Sequence, residues 1–511
     1  MTTAAAKDTN KASIDSKLGA LPVWDLTDLY PGNDSPELNA DLDRVAKDAT
    51  DFADRYKGKL AGLGGKALGA AIAEFEAIDE IMGRIMSYAQ LVYAGNVSDP
   101  AIGRFYQTMQ ERVNEISAHT LFFALELNEI DDKVLAKQLK APEAAKYKPW
   151  VDDARLFRPH QLDEEIERLL HDKRVAGRSA WNRLFDETMA DMRFDHDGRM
   201  ITSEEVMNLL SNPDEGVREK AAETLGKELK KHARTFSLIT NTLAKDKEIE
   251  DKWRHFARPE SSRNLANQVE DEVVDALNQA VQDACPALSH RYYAMKAKWF
   301  GKDKLDHWDR NAPLPDADNS VIPWARATET VLTAYGDFSA DLADIGRKFF
   351  DNAWIDAPVR EGKSSGAFAH PTVPSAHPYL LLNYQGKTRD VMTLAHELGH
   401  GCHQVLAAPQ GNLMADTPLT LAETASVFGE MLTFRRMLHA QDDPAKRKVM
   451  LAGKVEDMLN TVVRQIAFFN FELRVHTARR EGELTAEDIC DIWMGVQTES
   501  LGPAIRFDDN Y

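Results

Sequence analysis

The period of its apolar residues constrains this chain more than any other feature. From about Val23 onward, long segments such as "RFYQTMQERVNEISAHTLFFALELNEI" repeat hydrophobic side chains every three or four residues, and short Pro, Gly or Asp breaks separate them. That spacing places the apolar side chains on one stripe of a helix, and 511 residues are enough to bury several helical layers. The chain is therefore expected to be mainly α. Segments such as "DEEIERLLHDK" and "EGVREKAAETLGKELKKHAR" carry mixed charge on one face, which reads as a solvated outer surface.

Three stretches depart from this texture. "FDHDGRMIT", residues 194 to 202, offers a turn between two short extended runs and marks the expected boundary. On that basis residues 1–22 are expected to form a disordered tail, 23–196 a helical N-terminal domain and 197–511 a larger second domain. "HWDRNAPLP" (307–315) is irregular, and "SAHPYLLLNYQG" (375–386) is rich enough in Leu between Pro378 and Gly386 to form a strand.

Composition excludes several classes of function. With 82 acidic and 62 basic residues the formal charge is −20, so a general phosphate-binding surface is not expected and neither nucleic acid nor anionic membrane suits this chain as a partner. Cys285, Cys402 and Cys490 are too few and too scattered for a disulfide framework or a cysteine-type zinc module. The N-terminus lacks the apolar core of a signal peptide, and no later run reaches transmembrane length. A soluble protein in a reducing, cytoplasmic compartment is expected.

Chemistry concentrates in "TLAHELGHGCHQ", residues 393 to 404. Gly386, Lys387 and Thr388 supply a break and a cap, after which Val391, Leu394, Ala395, Leu398, Cys402 and Val405 repeat at helical spacing. His396 and His400, four residues apart, then lie on neighbouring turns about 6 Å apart along the axis, so their rings can converge on one ion. Glu397 projects toward a metal-bound water and is positioned to take its proton. His403 lies about 10 Å along the axis from His396, too far to join that pair, and reads as a neighbouring group. Cys402 points elsewhere and reads as a small buried apolar residue.

A third ligand is expected from "TPLTLAETASVFGEMLTFRRML" (417–438). This segment is apolar nearly all round and is expected to be buried, with Glu423, Ser426 and Glu430 forming one polar stripe. Glu423 is assigned as the third ligand and Glu430 as a group orienting a ligand histidine. Two His and one Glu leave a position for water, which is the catalytic arrangement, and Zn²⁺ suits it best. The expected reaction is peptide-bond hydrolysis with Glu397 as general base. The strand "YLLLNY" is expected to offer an unpaired edge to an extended peptide. His377 and Tyr379 flank it, where they either reach substrate or simply pack, and the loop "KSSGAF" (363–368) either covers substrate or is an ordinary turn.

These residues resemble the M3 zinc metallopeptidases, in particular their oligoendopeptidase F branch. The resemblance rests on "SGAFAHPTVPSAHPYLLLNYQGKTRDVMTLAHELGHGCHQ" followed by "LAETASVFGEML", with support from "WDLTDLYPG", "FADRYKGKLA" and "HWDRNAPLP". It implies a zincin-like helical fold of two halves around a deep channel that admits short peptides, with a small β-sheet beside the metal-binding helix. It also implies one zinc on His396, His400 and Glu423, with catalysis by Glu397. Members of the family usually continue beyond the equivalent of "LGPAIRFDDNY" into a segment with a His and several Tyr. Here only His439, His476 and Tyr511 follow Glu430, so the catalytic domain is expected to lack its C-terminal part and zinc binding to be more secure than full activity. A catalytically impaired peptide- or zinc-binding protein and a carboxy-acting exopeptidase are the alternatives. Monomer and dimer both remain open.

Overall fold

A computed structural model describes residues 17–314, 320–508 and 510–511. Several helices start where the sequence supplies a side-chain cap. The first, α1 (Pro36–Tyr56), follows Ser35, whose hydroxyl accepts from the Leu38 amide at 3.2 Å, and carries Pro in its first turn. Its stripe of Leu38, Leu42, Val45, Ala49 and Phe52 is buried in one core with residues of α2 (Gly65–Gly95) and α3 (Pro100–Ser117).

Asp197 and Gly198, with φ of 58° and 76°, close an antiparallel hairpin of β1 (Phe194–His196) and β2 (Arg199–Ile201), as "DHDG" predicts. There follow α4 (Glu215–Trp253), α5 (Arg291–Trp299), β3 (Leu305–Asp306), α6 (Trp324–Phe338), α7 (Ala340–Asp351), β4 (Ile355–Asp356), β5 (Phe368–His370) and β6 (Tyr379–Leu381). The chain continues through α8 (Thr388–Ala407), α9 (Leu419–His439), α10 (Pro444–Glu481), α11 (Ala486–Leu501) and β7 (Ile505–Arg506). The fold is mainly α, as the apolar period requires. No helix among the described residues is long and apolar enough to cross a membrane.

Two compact units emerge. The first combines Met1–Val175 with Asn319–Ala440, and the second Ala176–Asp318 with Gln441–Tyr511. In the second, β3 and β7 pair in parallel, and Tyr292, Tyr293, Leu305, Val463, Leu501 and Ile505 belong to one buried cluster. The hairpin read as a boundary lies inside this unit, where Phe194 and Ile201 pack with Val206 and Ala221.

The first unit contains a three-stranded sheet in the order β4-β6-β5. Strand β6 runs parallel to β4, with Ile355 opposite Leu380, and antiparallel to β5, with Phe368 opposite Leu381. The "YLLLNY" strand is thus central, with Tyr379, Leu380 and Leu381 all buried, and its expected free edge does not exist. Consecutive large apolar residues mark a strand covered on both faces, and such strands sit inside sheets. The outer edge on this side belongs to β5.

The N-terminal segment packs onto this sheet. Asp25 N donates to Ala353 O and Ala357 N to Pro22 O, each at 2.9 Å, and Leu18 is buried. Residues 1–16 of the expected tail lie outside the described residues, but Leu18 to Pro22 are not a solvated tail.

Candidate metal centre

The chain turns into helix α8 at Gly386, just before the capping position, where a φ of 80° favours glycine and a Cβ would sit 2.7 Å from Leu18 and 2.8 Å from Val321. Asp390 in the first turn accepts from the Gln385 and Lys387 amides at 2.9 Å each, so Lys387 is the capping position and Thr388 the first helical residue. Val391, Leu394, Ala395, Leu398 and Cys402 are buried, as their spacing predicts. Burial alone pushes the Cys402 thiol up to about 12, which fits an inert core residue.

His396 and His400 project from adjacent turns with ring centroids 4.9 Å apart and planes at 81°. The third member comes from α9. At Gly399 a Cβ would lie 2.6 Å from Ala425 O and 2.8 Å from Ser426 Cα, so only glycine lets the two helices approach this closely. A Cβ at Gly429 would run into the hydroxyl of Tyr335 on α6. That hydroxyl donates to Ala395 O at 2.5 Å, immediately before His396, and ties α6, α8 and α9 together.

Helix α9 is not buried all round. Ser426, Gly429, Thr433 and Phe434 are buried, while Leu419, Leu421, Val427 and Phe428 stay exposed, and the Glu423 side chain is 58% exposed. The cause is the choice of contact residues, since the face against α8 is made of small side chains and the bulky ones are left outside.

Glu423 Oε2 lies 3.2 Å from His396 Nε2 and 3.3 Å from His400 Nε2, and it accepts from Ser426 Oγ at 2.6 Å. A tetrahedral ion with bonds of ~2.0–2.1 Å places its donors about 3.3 Å apart, so this trio fits a zinc-sized cation. On the far side of the ring, His396 Nδ1 faces Glu430 Oε2 at 3.4 Å. Burial disfavours the His396 imidazolium, but hydrogen bonds to Glu423 and Glu430 outweigh it and raise its pKa to about 9. Hydrogen bonds from His396 first, then His400, hold Glu423 well below the ordinary carboxylate range. The site thus carries a negative field that favours a cation. Glu397 is only 7% exposed, and burial raises its pKa.

The other named residues fall elsewhere. His403 is half-buried one turn beyond His400 and is not one of the three converging donors. His377 stacks on Trp354 at 3.8 Å between ring centroids and contacts Asp28 Oδ2 at 2.9 Å. Tyr379 is fully buried with its hydroxyl donating to Asp25 O at 2.8 Å. Both pack against the N-terminal segment and are not brought to the histidine pair. In the "KSSGAF" loop, Lys363 is buried, donating to Asp356 Oδ1 at 2.6 Å and Leu382 O at 2.5 Å, and Asn383 Nδ2 donates to Ser364 O and Gly366 O at 3.0 and 2.9 Å. The loop is pinned to the sheet. Sequence reasoning missed Tyr335 and the Gly399 contact. The Gly399 contact was signalled by the glycines of "ELGHG", but nothing local signals Tyr335.

A second trio of acids, Glu215, Asp306 and Asp309, gathers in the other unit. It already holds a cation, because Lys302 Nζ contacts Glu215, Asp306 Oδ2 at 3.1 Å and Asp309 Oδ2 at 2.5 Å. Arg218 adds a contact to Asp309 Oδ1 at 2.6 Å.

A histidine pair one helical turn apart, a glutamate from the next helix and a flanking buried glutamate make a candidate metal centre. The model of Peptidase family M3 matches residues 208–511, and that of Oligopeptidase F matches residues 126–194. The chain belongs to peptidase family M3. It is 26% identical to oligopeptidase PepF of Bacillus subtilis, over 99% of this chain and 76% of that protein. It is also 26% identical to group B oligopeptidase PepB of Streptococcus agalactiae, over 98% of this chain and 83% of that one. In structure it is similar to a putative peptidase from Chlamydophila abortus, with a TM-score of 0.74 at 21% identity, covering 96% of this chain and 83% of the other. Oligoendopeptidase-F from Enterococcus faecium gives a TM-score of 0.68 at 20% identity, covering 93% and 81%.

Proposed function

We propose that this peptidase is a zinc-dependent endopeptidase acting on short peptides, with His396, His400 and Glu423 as the metal-binding set and Glu397 as general base. One observation carries the reading: three donors from two helices converge at 3.2–3.3 Å about Glu423 Oε2. A zinc ion held there supplies Lewis acidity toward a peptide carbonyl and makes a coordinated water acidic near neutral pH.

The remaining steps belong to the chain. Glu397 takes the proton from the attacking water, and its buried carboxyl, with its raised pKa, holds that proton until the leaving nitrogen accepts it. Glu430 accepts from His396 Nδ1–H, fixing the tautomer that leaves Nε2 free to coordinate. Ser426 donates to Glu423 and restricts its carboxylate. The outer edge of β5, beside α8 through the Gln404 Nε2 contact to Ala369 O at 3.3 Å, offers main-chain groups to an extended peptide.

We take residues 23–196 and 197–511 as the inherited segments, since the two family matches lie on either side of 196/197. We also place the protein in the cytoplasm, which its three free cysteines favour. Cleavage of a quenched-fluorescent peptide tests the function. It is expected to stop on chelation and return with zinc, and cleavage that persists in a metal-free chain would sink the reading.

A further inference from the structure

The two helices of the candidate metal centre are braced where they cross by a side chain outside the metal-binding set. Tyr335 of α6 is fully buried, and its hydroxyl donates to Ala395 O of α8 at 2.5 Å. A Cβ on Gly429 of α9 would stand 2.0 Å from the same hydroxyl, so only glycine leaves room for it. Each backbone position that this oxygen meets is followed by a member of the centre, Ala395 by His396 and Gly429 by Glu430. The hydroxyl therefore lies between the two points of the backbone from which the imidazole and the carboxylate reach toward one another.

Two properties separate this contact from ordinary core packing. Ala395 lies inside α8 (Thr388–Ala407), where the helical ladder already gives its carbonyl a partner at Gly399 N. Loss of the hydroxyl alone would leave no buried acceptor unpaired, so its weight in overall stability is small. Its weight in geometry is larger. His396 Nδ1 and Glu430 Oε2 are 3.4 Å apart, already at the long end for an N–H···O bond, and a drift of about 0.2 Å would carry them out of range. Burial also raises the Tyr335 pKa well above that of a free tyrosine, so the hydroxyl stays protonated and remains a donor.

We propose that Tyr335 is a positioning residue for the metal centre: through Ala395 and Gly429 it sets the separation of His396 and Glu430, and so the orientation in which His396 meets the ion. This rests on the metal-binding set proposed above.

The test is a zinc competition titration of the full chain carrying Tyr335→Phe, Glu430→Gln or both, at a temperature where circular dichroism shows each variant folded. Tyr335→Phe keeps the ring, so it should melt close to the wild type and yet bind zinc about tenfold more weakly, the lower end of what loss of an outer partner costs. Because Tyr335 acts through Glu430, the double variant should bind zinc as Glu430→Gln does, to within about twofold, and the two losses should not multiply. The visible absorption of the cobalt-loaded chain should shift in Tyr335→Phe in the same direction as in Glu430→Gln, a change that lowered stability alone does not produce. Wild-type zinc affinity in Tyr335→Phe, whatever its melting temperature, or losses that multiply in the double variant, overturns the proposal. If Glu423→Ala loses zinc while Tyr335→Phe keeps full affinity, the centre stands and only the role of Tyr335 falls; a wild-type chain that binds no zinc sinks both.

Discussion

Among the described residues, two clusters bring three potential cation ligands within 4.8 Å of one another, and they differ in what balances their charge. In the second unit Glu215, Asp306 and Asp309 surround Lys302, and Arg218 reinforces Asp309. Burial opposes the Lys302 ammonium, but its carboxylate partners hold it in the charged form. In the first unit, Glu423 faces two imidazoles, and among the described residues neither lysine nor arginine pairs with it. Three carboxylates around a built-in ammonium make a structural knot. Nitrogen donors and one carboxylate without such a cation are a donor set suited to an ion from outside, as proposed for the first unit. Proximity of acids alone would rank the two equally, and donor chemistry separates them.

Several experiments would break or sharpen this contrast. The largest effect is expected from Glu423→Ala, which should reduce bound zinc, measured by elemental analysis, to background and abolish peptide cleavage. Glu397→Gln should keep its zinc and lose ~10²–10⁴ in turnover, since it removes only the proton acceptor; loss of metal in this variant would show Glu397 to be a ligand. Lys302→Met, which leaves the acids without their cation, should destabilise the chain by about 3 kcal/mol in denaturant unfolding. Added millimolar Ca²⁺ or Mg²⁺ should restore part of that loss in the variant and do nothing for the wild type. If the variant ignores divalent ions, the second cluster cannot be converted into a metal site. Glu430→Gln should lower zinc affinity by about 10–100-fold in a competition titration, as expected when a group orienting a ligand is lost. Ser426→Ala should cost only several-fold in zinc affinity, and the loss should be traceable to a more mobile Glu423 side chain.

Much of the site was legible because its elements are local. The four-residue spacing of His396 and His400 needs only helical geometry, and Glu423 and Glu430 stand out as acids on an apolar segment. The hairpin at 194–201 announced itself through Asp197 and Gly198. What failed was non-local. Strand β4 spans two residues and carries no period, so nothing near "YLLLNY" revealed a partner on that side. The bonds of Tyr379 to Asp25 and His377 to Asp28 join positions about 350 residues apart, beyond any pattern argument. The burial expected for α9 came from hydrophobicity summed around the helix. Its actual contact is governed by Gly399 and Gly429, where the absence of a side chain decides which face packs.

Glu423 follows His396 by fewer than thirty residues, and Thr388 to His439 form two consecutive helices, whereas the unit around them draws on chain segments at Met1–Val175 and Asn319–Ala440. Closing so short a loop costs little chain entropy, so even an unfolded chain presents its metal donors at high effective concentration. Zinc bound as proposed is then expected to bind denatured as well as native protein, so its gain in melting temperature should fall short of what native-state affinity alone would give. The same local capture gives the ion a place to nucleate the helical hairpin during refolding, before the distant halves of the unit have met.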